Sequence, residues 1–337
     1  MTGARLVSII IVNYNGRDLL LPCLSSVYAQ PYRPIEVVVV DNGSVDGSVQ
    51  AVREQYPGVL LIENRKNNGF AGGNNQGVAN ASGEEIILLN NDTIVDSGWL
   101  SALLAQRDAT GAAAVTSKVT TDSVPDEFYT MNGSLNFLGY NIMKVFTDLS
   151  MIFFAGGASL LFRKSEFPVP FPAAFFLYQE DVYLSWRARI EGKSVCMAQR
   201  SVVYHKGSVT SKRQPGAFVT FYQERNRTLN SLLMYEGKTL LRLLPYFAAD
   251  AAAKMVRALV SRGKSPVGIV RAYLWIFTHP GWILRERRSI QAGRKVPDRK
   301  IMALMSPKIT EGHSFAARAA NALSRAYARM AGLAFHE

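Results

Sequence analysis

The sequence predicts an α/β fold: a Rossmann-like, mostly parallel sheet flanked by helices, followed by a helical C-terminal extension. Three observations predict it. Short apolar runs recur at Val7–Val12, Ile35–Val40, Val59–Ile62 and Glu85–Leu89. Segments of helical length separate them, and strand–helix alternation at this spacing makes a parallel sheet with right-handed crossovers. Beyond Gly237 the pattern changes to Leu- and Ala-rich helical stretches punctuated by Arg and Lys.

Val7–Val12 is continuously apolar and β-branched, as suits a strand buried on both faces. Asn13-Tyr14-Asn15-Gly16 ends it, and a helix is expected over Arg17–Gln30. Ile35–Val40 is a second such strand, stopped by Asp41-Asn42-Gly43-Ser44. Asp46 is placed to N-cap a helix through about Tyr56. Asn67–Gly73 reads as a turn before a short helix ending near Ala81, and Asn90-Asn91-Asp92 closes the fourth strand. Thr121–Glu127 and Gly139 read as loops. Phe153–Phe162 reads as a strand, Glu180–Glu191 as a helix, and Val195–Val203 as a strand ending at His205.

Ligands of such sheets bind outside the carboxyl ends of the strands. Asn13–Gly16, Asp41–Ser44 and Asn90–Asp92 all fall there. Each alone is ordinary turn chemistry; three on one sheet edge point to a site. Asp41 either caps its turn or accepts bonds from a nucleobase or ribose. Asp92 either caps the next helix, near Trp99, or holds a divalent cation with diphosphate oxygens. Glu180 and Asp181 suit a helix N-terminus electrostatically, or one of them is a general base. Arg225 either sits on a solvated helix face or grips phosphate oxygens with its fork. His205 is the only histidine before His279, which excludes a multi-histidine zinc site in the body.

Charge is unevenly placed. Residues 1–237 hold 20 Lys/Arg against 21 Asp/Glu, and residues 238–337 hold 18 against 5, a net of +13. A neutral body with a basic tail suggests a localised anionic partner, lipid or nucleic acid. Cys23 and Cys196 are too few for a disulfide framework, which fits a reducing compartment. No signal peptide and no clean apolar stretch of spanning length is expected. Trp275 and Trp282 suit a lipid–water boundary, and Arg271 and His279 favour lying on a membrane over crossing it. Packing of the same helices on the body is the other reading.

Taken together, Val7–Gly16, Val39–Ser44, Asp46-Gly47-Ser48, Asn67–Gly77 and Leu88–Thr93 resemble the inverting family 2 glycosyltransferases, which have the GT-A fold. Asn68-Gly69-Phe70-Ala71-Gly72-Gly73-Asn74-Asn75 is most similar to their rhamnosyltransferase branch. Phe154–Ala158, Gln179-Glu180-Asp181, Tyr204–Ser208 and Tyr222–Arg227 follow in the same order. The resemblance implies a catalytic domain over residues 1–237, with a nucleotide-binding part at 1–100 and an acceptor part at 101–237. Residues 238–337 are the basic extension.

The resemblance further implies site roles. Asp181 is the catalytic base with Glu180 beside it. Asn13, Asn15, Asp41, Asn42, Gly69, Gly73, Asn74 and Asn91 bind the nucleotide. Asp92 and His205 hold Mg²⁺ or Mn²⁺. Gly156, Gly157, Arg225 and Asn226 face diphosphate or acceptor. Asn90 stands where the family's metal motif has its first carboxylate, and the Gln-X-X-Arg-Trp motif of processive synthases is missing. The implied activity is single transfer of a sugar, L-rhamnose from dTDP-rhamnose or a UDP- or GDP-linked sugar. The implied acceptor is a lipid-linked glycan, and the implied location is the inner face of the cell membrane. Two rivals differ: the Gly-x-Gly-x-x-Gly turn of a dinucleotide oxidoreductase is missing after the first strand. A nucleic-acid-binding protein would leave Asp41, Asp92 and Asp181 without purpose.

Overall fold

A computed structural model describes residues 5–120, 133–142, 152–206, 214–260, 265–309, 315–330 and 332–333. Thr121–Glu127, Gly207 and Ser208 lie outside them. The main sheet has eight strands, and its left half is parallel: β1 (Val7–Asn13), β2 (Ile35–Asp41), β3 (Leu60–Glu63) and β4 (Glu85–Asn90). The order continues through β9 (Ser159–Arg163), β6 (Ala114–Thr120), β10 (Val195–His205) and β5 (Thr93–Val95), giving β3-β2-β1-β4-β9-β6-β10-β5. β9 runs antiparallel to both β4 and β6, and β5 antiparallel to β10. A small hairpin, β7 (Ser134–Leu135) with β8 (Asn141–Ile142), lies apart.

The β1 sequence is apolar throughout because both its faces are covered. Ile9 and Ile11 pack with Leu20, Leu24 and Val27 of α1 (Arg17–Tyr28) and with Leu100 and Leu103 of α4 (Trp99–Thr110). Ile10 faces the other core, with Ala71 and Val78 of α3 (Gly69–Asn80) and Leu184 and Trp186 of α5 (Glu180–Ile190). Between β2 and β3 lies α2 (Ser48–Gln55), whose Val52 joins the first of these cores.

Three expected elements differ in detail. Helix α3 begins at Gly69, so the Gly-rich stretch is the helix itself. Glycine is placed there by packing: a Cβ on Gly73 would lie 2.8 and 2.9 Å from the two methyls of Val12, so α3 rides directly on β1. The strand expected over Phe153–Phe162 is only Ser159–Arg163, because the chain turns through Gly156-Gly157 before pairing. Asp46 caps from one residue outside the expected position: Gly47 takes the N-cap of α2, with φ +81°, while Asp46 Oδ1 accepts from Ser48 N at 3.1 Å. Its Oδ2 accepts from Arg17 N at 2.9 Å, so one carboxylate serves the first turns of two helices.

After β10 the described elements are helices: α6 (Gly216–Met234), α7 (Gly237–Val260), α8 (Pro266–Thr278), α9 (Pro280–Ala292), α10 (Asp298–Met302) and α11 (Phe315–Met330). These helices pack on the body. Leu243, Ile283, Ile290, Ile301 and Met302 belong to the same buried core as Trp186 and Phe162. Trp186 meets Tyr235 edge-on, centroids 4.8 Å apart. Between α6 and α7 a buried quartet closes: Arg227 reaches Glu224 at 3.1 Å and Asp250 at 3.2 Å, and Lys254 lies 2.6 Å from each of the two acids. Tyr140 OH donates to Asp250 at 3.0 Å.

Candidate active site

A cleft of about 510 Å³ opens at the carboxyl ends of β1, β2 and β4. Asn42, Gly69, Asn91, Asp92, Gly156, Gly157, Glu180, Asp181 and His205 line it. Nine residues picked out in the sequence therefore meet in one concavity, from segments up to 163 positions apart (Asn42 to His205).

Asp92 and His205 meet through strand register. β10 carries a bulge between Ala198 and Val202, after which it pairs with both β6 and β5. That register sets His205 opposite Thr93, and His205 Nε2 lies 3.0 Å from Asp92 Oδ1. Lys206 N donates to Asp92 O at 3.1 Å, which pins the same junction. The pair is over 90% buried, and His205 Nδ1 has no hydrogen-bond partner among the described residues. Asn90 Nδ2 is 3.5 Å from His205 Nε2, at the position where a second carboxylate was missing from the motif. Among the described residues no group of three His, Cys, Asp or Glu assembles.

Across the cleft, Asp181 occupies the first turn of α5. Its Oδ1 accepts from Val182 N at 2.8 Å and its Oδ2 from Gly157 N at 3.2 Å. Those bonds orient it, and burial pushes its carboxyl above the usual range. Glu180 is more deeply buried; desolvation pushes it up to about 8, with the charge of Asp181 adding to the rise. Glu180 Oε1 has no partner among the described residues.

Other expected contacts lie behind the cleft surface. Asp41 is 2% exposed, and its carboxylate accepts from Asn13 Nδ2 at 3.0 Å, Gly43 N at 3.1 Å, and Ser44 N and Oγ at 2.8 and 2.6 Å. Asn13 Oδ1 accepts from Asn91 Nδ2 at 2.8 Å, and Asn15, at φ +50°, accepts from Val45 N at 2.8 Å. This chain of short polar residues fixes the two turns that frame the cleft, and of it Asn91 lines the cleft, as does Asn42, whose Nδ2 donates to Gly69 O at 3.0 Å. Gly73 lies against Val12, and Asn74 donates to Phe70 O at 2.9 Å within α3.

Arg225 and Asn226 also stand behind the cleft. Asn226 Nδ2 donates to the carbonyls of Phe175, Leu177 and Tyr178 at 2.8, 2.9 and 2.8 Å. Arg225 donates to the carbonyls of Ala174 and Phe175, and its guanidinium is covered by Phe221, Tyr222 and Trp275 at 4.7–4.8 Å. Burial lowers its pKa to about 10.

What these two side chains hold is not legible in the residue pattern. Phe176, Tyr178 and Gln179 all have positive φ, between 60 and 72°. Phe176 is the centre of a γ-turn, with ψ −58° and Leu177 N donating to Phe175 O at 2.6 Å, a strained conformation for a bulky residue. The strain is held by the Asn226 and Arg225 bonds. The resulting wall of Phe176, Leu177, Tyr178 and Phe218 lines the cleft beside Asp181. A signal existed only in hindsight: an aromatic run, Phe175-Phe176-Leu177-Tyr178, directly before Gln179-Glu180-Asp181. Gly69, at φ +74°, fits against this wall, since a Cβ there would collide with the Phe176 carbonyl and ring.

Residues 8–167 match the family model for glycosyl transferase family 2. Over 106 residues the chain is 30% identical to glycosyltransferase GlyG of Streptococcus pneumoniae, covering 31% of this chain and 35% of that one. The chain thus spans about a third of that relative's length. Over 237 residues it is 24% identical to the low-salt glycan biosynthesis hexosyltransferase Agl10 of Haloferax volcanii, covering 67% of this chain and 75% of that one. Among solved structures it is similar to GalNAc-T7 with UDP, GalNAc and Mn²⁺, at a TM-score of 0.59 and 14% identity, covering 82% of this chain and 58% of that chain. At that identity the likeness is one of fold, and the fold is GT-A-like.

Proposed function

We propose, for a chain whose residues 8–167 match the model of glycosyl transferase family 2, that it belongs to that family and moves one sugar from a nucleotide diphosphate donor to an acceptor hydroxyl, with inversion. The observation that carries this reading is the cleft with an oriented carboxylate, Asp181, in one wall and the Asp92–His205 pair in another.

Inversion requires the acceptor oxygen to attack the anomeric carbon opposite the departing diphosphate. Asp181 would take the acceptor's proton as the new bond forms. A carboxylate of ordinary pKa is a weak base for a hydroxyl; burial makes Asp181 a stronger one. Its bonds from Gly157 N and Val182 N, one to each oxygen, fix the orientation of the carboxylate. Asn42 and Asn91 offer polar contacts to the nucleotide, and the Phe176–Tyr178 wall offers an apolar face to the acceptor.

Asp92 and His205 fit a divalent cation. One carboxylate beside an imidazole suits Mn²⁺, and Mg²⁺ also takes few protein ligands when diphosphate oxygens supply the rest. Such a cation, when bound, would neutralise charge growing on the leaving diphosphate.

The donor reading is dTDP-L-rhamnose, supported by the Asn68–Asn75 segment. The acceptor reading is a lipid-linked glycan of cell-surface polysaccharide synthesis. A UDP- or GDP-linked sugar is the second donor reading, in keeping with the UDP held by the GalNAc-T7 structure. Thermal shift with dTDP, UDP and GDP, with and without Mn²⁺, tests both. A dTDP shift that grows with Mn²⁺ is expected. The absence of any nucleotide shift would sink the transferase reading, and a larger UDP or GDP shift would replace the donor.

A further inference from the structure

Helix α8 has two apolar faces. On one, Gly268, Ile269 and Ala272 are buried, and Trp275 covers Arg225. The other carries Val267, Val270, Leu274 and Phe277. Their spacing of three, four and three residues aligns them in one stripe. Each is more than half exposed, and Phe277 is 78% exposed.

The neighbouring helices share this character. Leu241, Leu244 and Val256 of α7, Leu284 of α9, and Leu323 and Met330 of α11 are also exposed. Of the fourteen large exposed hydrophobics among the described residues, ten lie in these four helices. A single exposed leucine carries no meaning, whereas four aligned on one face of a helix mark an interaction surface.

Charge selects the occupant. Lys238, Arg242, Arg271, Arg285 and Arg288 are exposed on the same helices. The acids there are largely withdrawn: Asp250 is in the buried quartet, Asp298 pairs with Arg294 at 3.1 Å, and Glu286 is half-buried. A second copy would bring an equally basic extension against this one. A nucleic acid would leave Leu274 and Phe277 in water. An anionic bilayer satisfies both the basic and the apolar positions.

We propose that the outer face of α8, with the exposed positions of α7 and α9 beside it, docks on an anionic lipid bilayer and lies at headgroup depth. No helix among the described residues is long and apolar enough to cross a membrane. This goes beyond the transfer reaction and stands independently of the donor.

Co-sedimentation of the full chain tests it, using vesicles of phosphatidylcholine alone and of phosphatidylcholine with phosphatidylglycerol, at low and high salt. Binding to the anionic vesicles, weakened by salt, is expected. Leu274→Glu with Phe277→Glu should lower the binding constant about tenfold or more, since two apolar side chains no longer insert. If that variant loses its unfolding transition, Arg285→Glu with Arg288→Glu replaces it and should lower anionic binding likewise. Failure to bind either vesicle, or equal binding by wild type and a folded variant, would overturn the proposal. So would a dimer in light scattering that the first variant dissolves, which would assign the stripe to a second copy. Nucleotide-induced thermal shift, measured without vesicles, separates the readings: a shift without lipid binding overturns docking alone, and lipid binding without a shift overturns the transferase alone.

Discussion

Asp181 and Glu180 are adjacent in sequence but differ in their surroundings. Asp181 accepts two backbone bonds and borders the cleft; Glu180 is buried with an unpartnered oxygen. Asp181→Asn keeps the shape and removes the proposed base; under that proposal kcat should fall by about 10²–10⁴ while nucleotide binding persists. Near wild-type turnover would exclude Asp181 as the base. A base at Asp181 would have to be ionised, and burial raises its pKa, so under the proposed role the acidic limb of kcat/KM should lie above the ordinary carboxylate range. For Glu180 the consequence is in stability. Its folded value, about 8, lies above the ordinary 4.5. Between them the folded chain keeps a proton that the unfolded chain has released, so stability falls as pH rises through this window. Glu180→Gln removes that slope. The Tm gain of the variant over wild type should be larger at pH 8.5 than at pH 5, and a gain independent of pH would contradict the raised carboxyl. At this scale the sequence shows the acids but not their environments: His205 meets Asp92 across 113 positions only because a bulge sets the register of β10.

The elements differ in how far they could be read. β1, β2 and β4 are legible because both faces are buried, which forces continuous apolar runs. β9 and β5 are short strands whose antiparallel direction is set by where neighbouring edges lie, not by their own composition. The turn at Phe176–Gln179 was illegible for a stronger reason. Positive φ in Phe, Tyr and Gln contradicts local preference, and bonds from α6, over forty residues later, impose it. Asn226→Ala would remove a donor from three carbonyls, of which Phe175 O keeps those of Arg225 and Leu177 N. A stability loss of about 1–3 kcal/mol is expected in urea unfolding, with a rise in acceptor KM exceeding any change in nucleotide binding. An unchanged KM would separate this turn from the acceptor.

Across the whole molecule, the change at Gly237 is one of composition and not of packing. The basic extension shares a continuous core with the sheet, through Leu243, Ile283, Ile301 and Met302. Asp250→Ala would leave Arg227 and Lys254 buried with one acid between them. Burial already depresses Lys254 to about 8. A loss of about 3–5 kcal/mol is expected on removing one partner of such a group, read as a lower urea midpoint. A loss below about 1 kcal/mol would show the quartet to be solvated. The quartet also bears on inheritance. Its acids and bases are divided, Glu224 and Arg227 on α6 against Asp250 and Lys254 on α7. A recombination crossover between the two helices would join a tail lacking the second pair to a body that buries the first. Only donors carrying an acid and a base four positions apart at that depth could be exchanged, so the chain would be expected to evolve by point substitution within one inherited unit and not by swapping its tail.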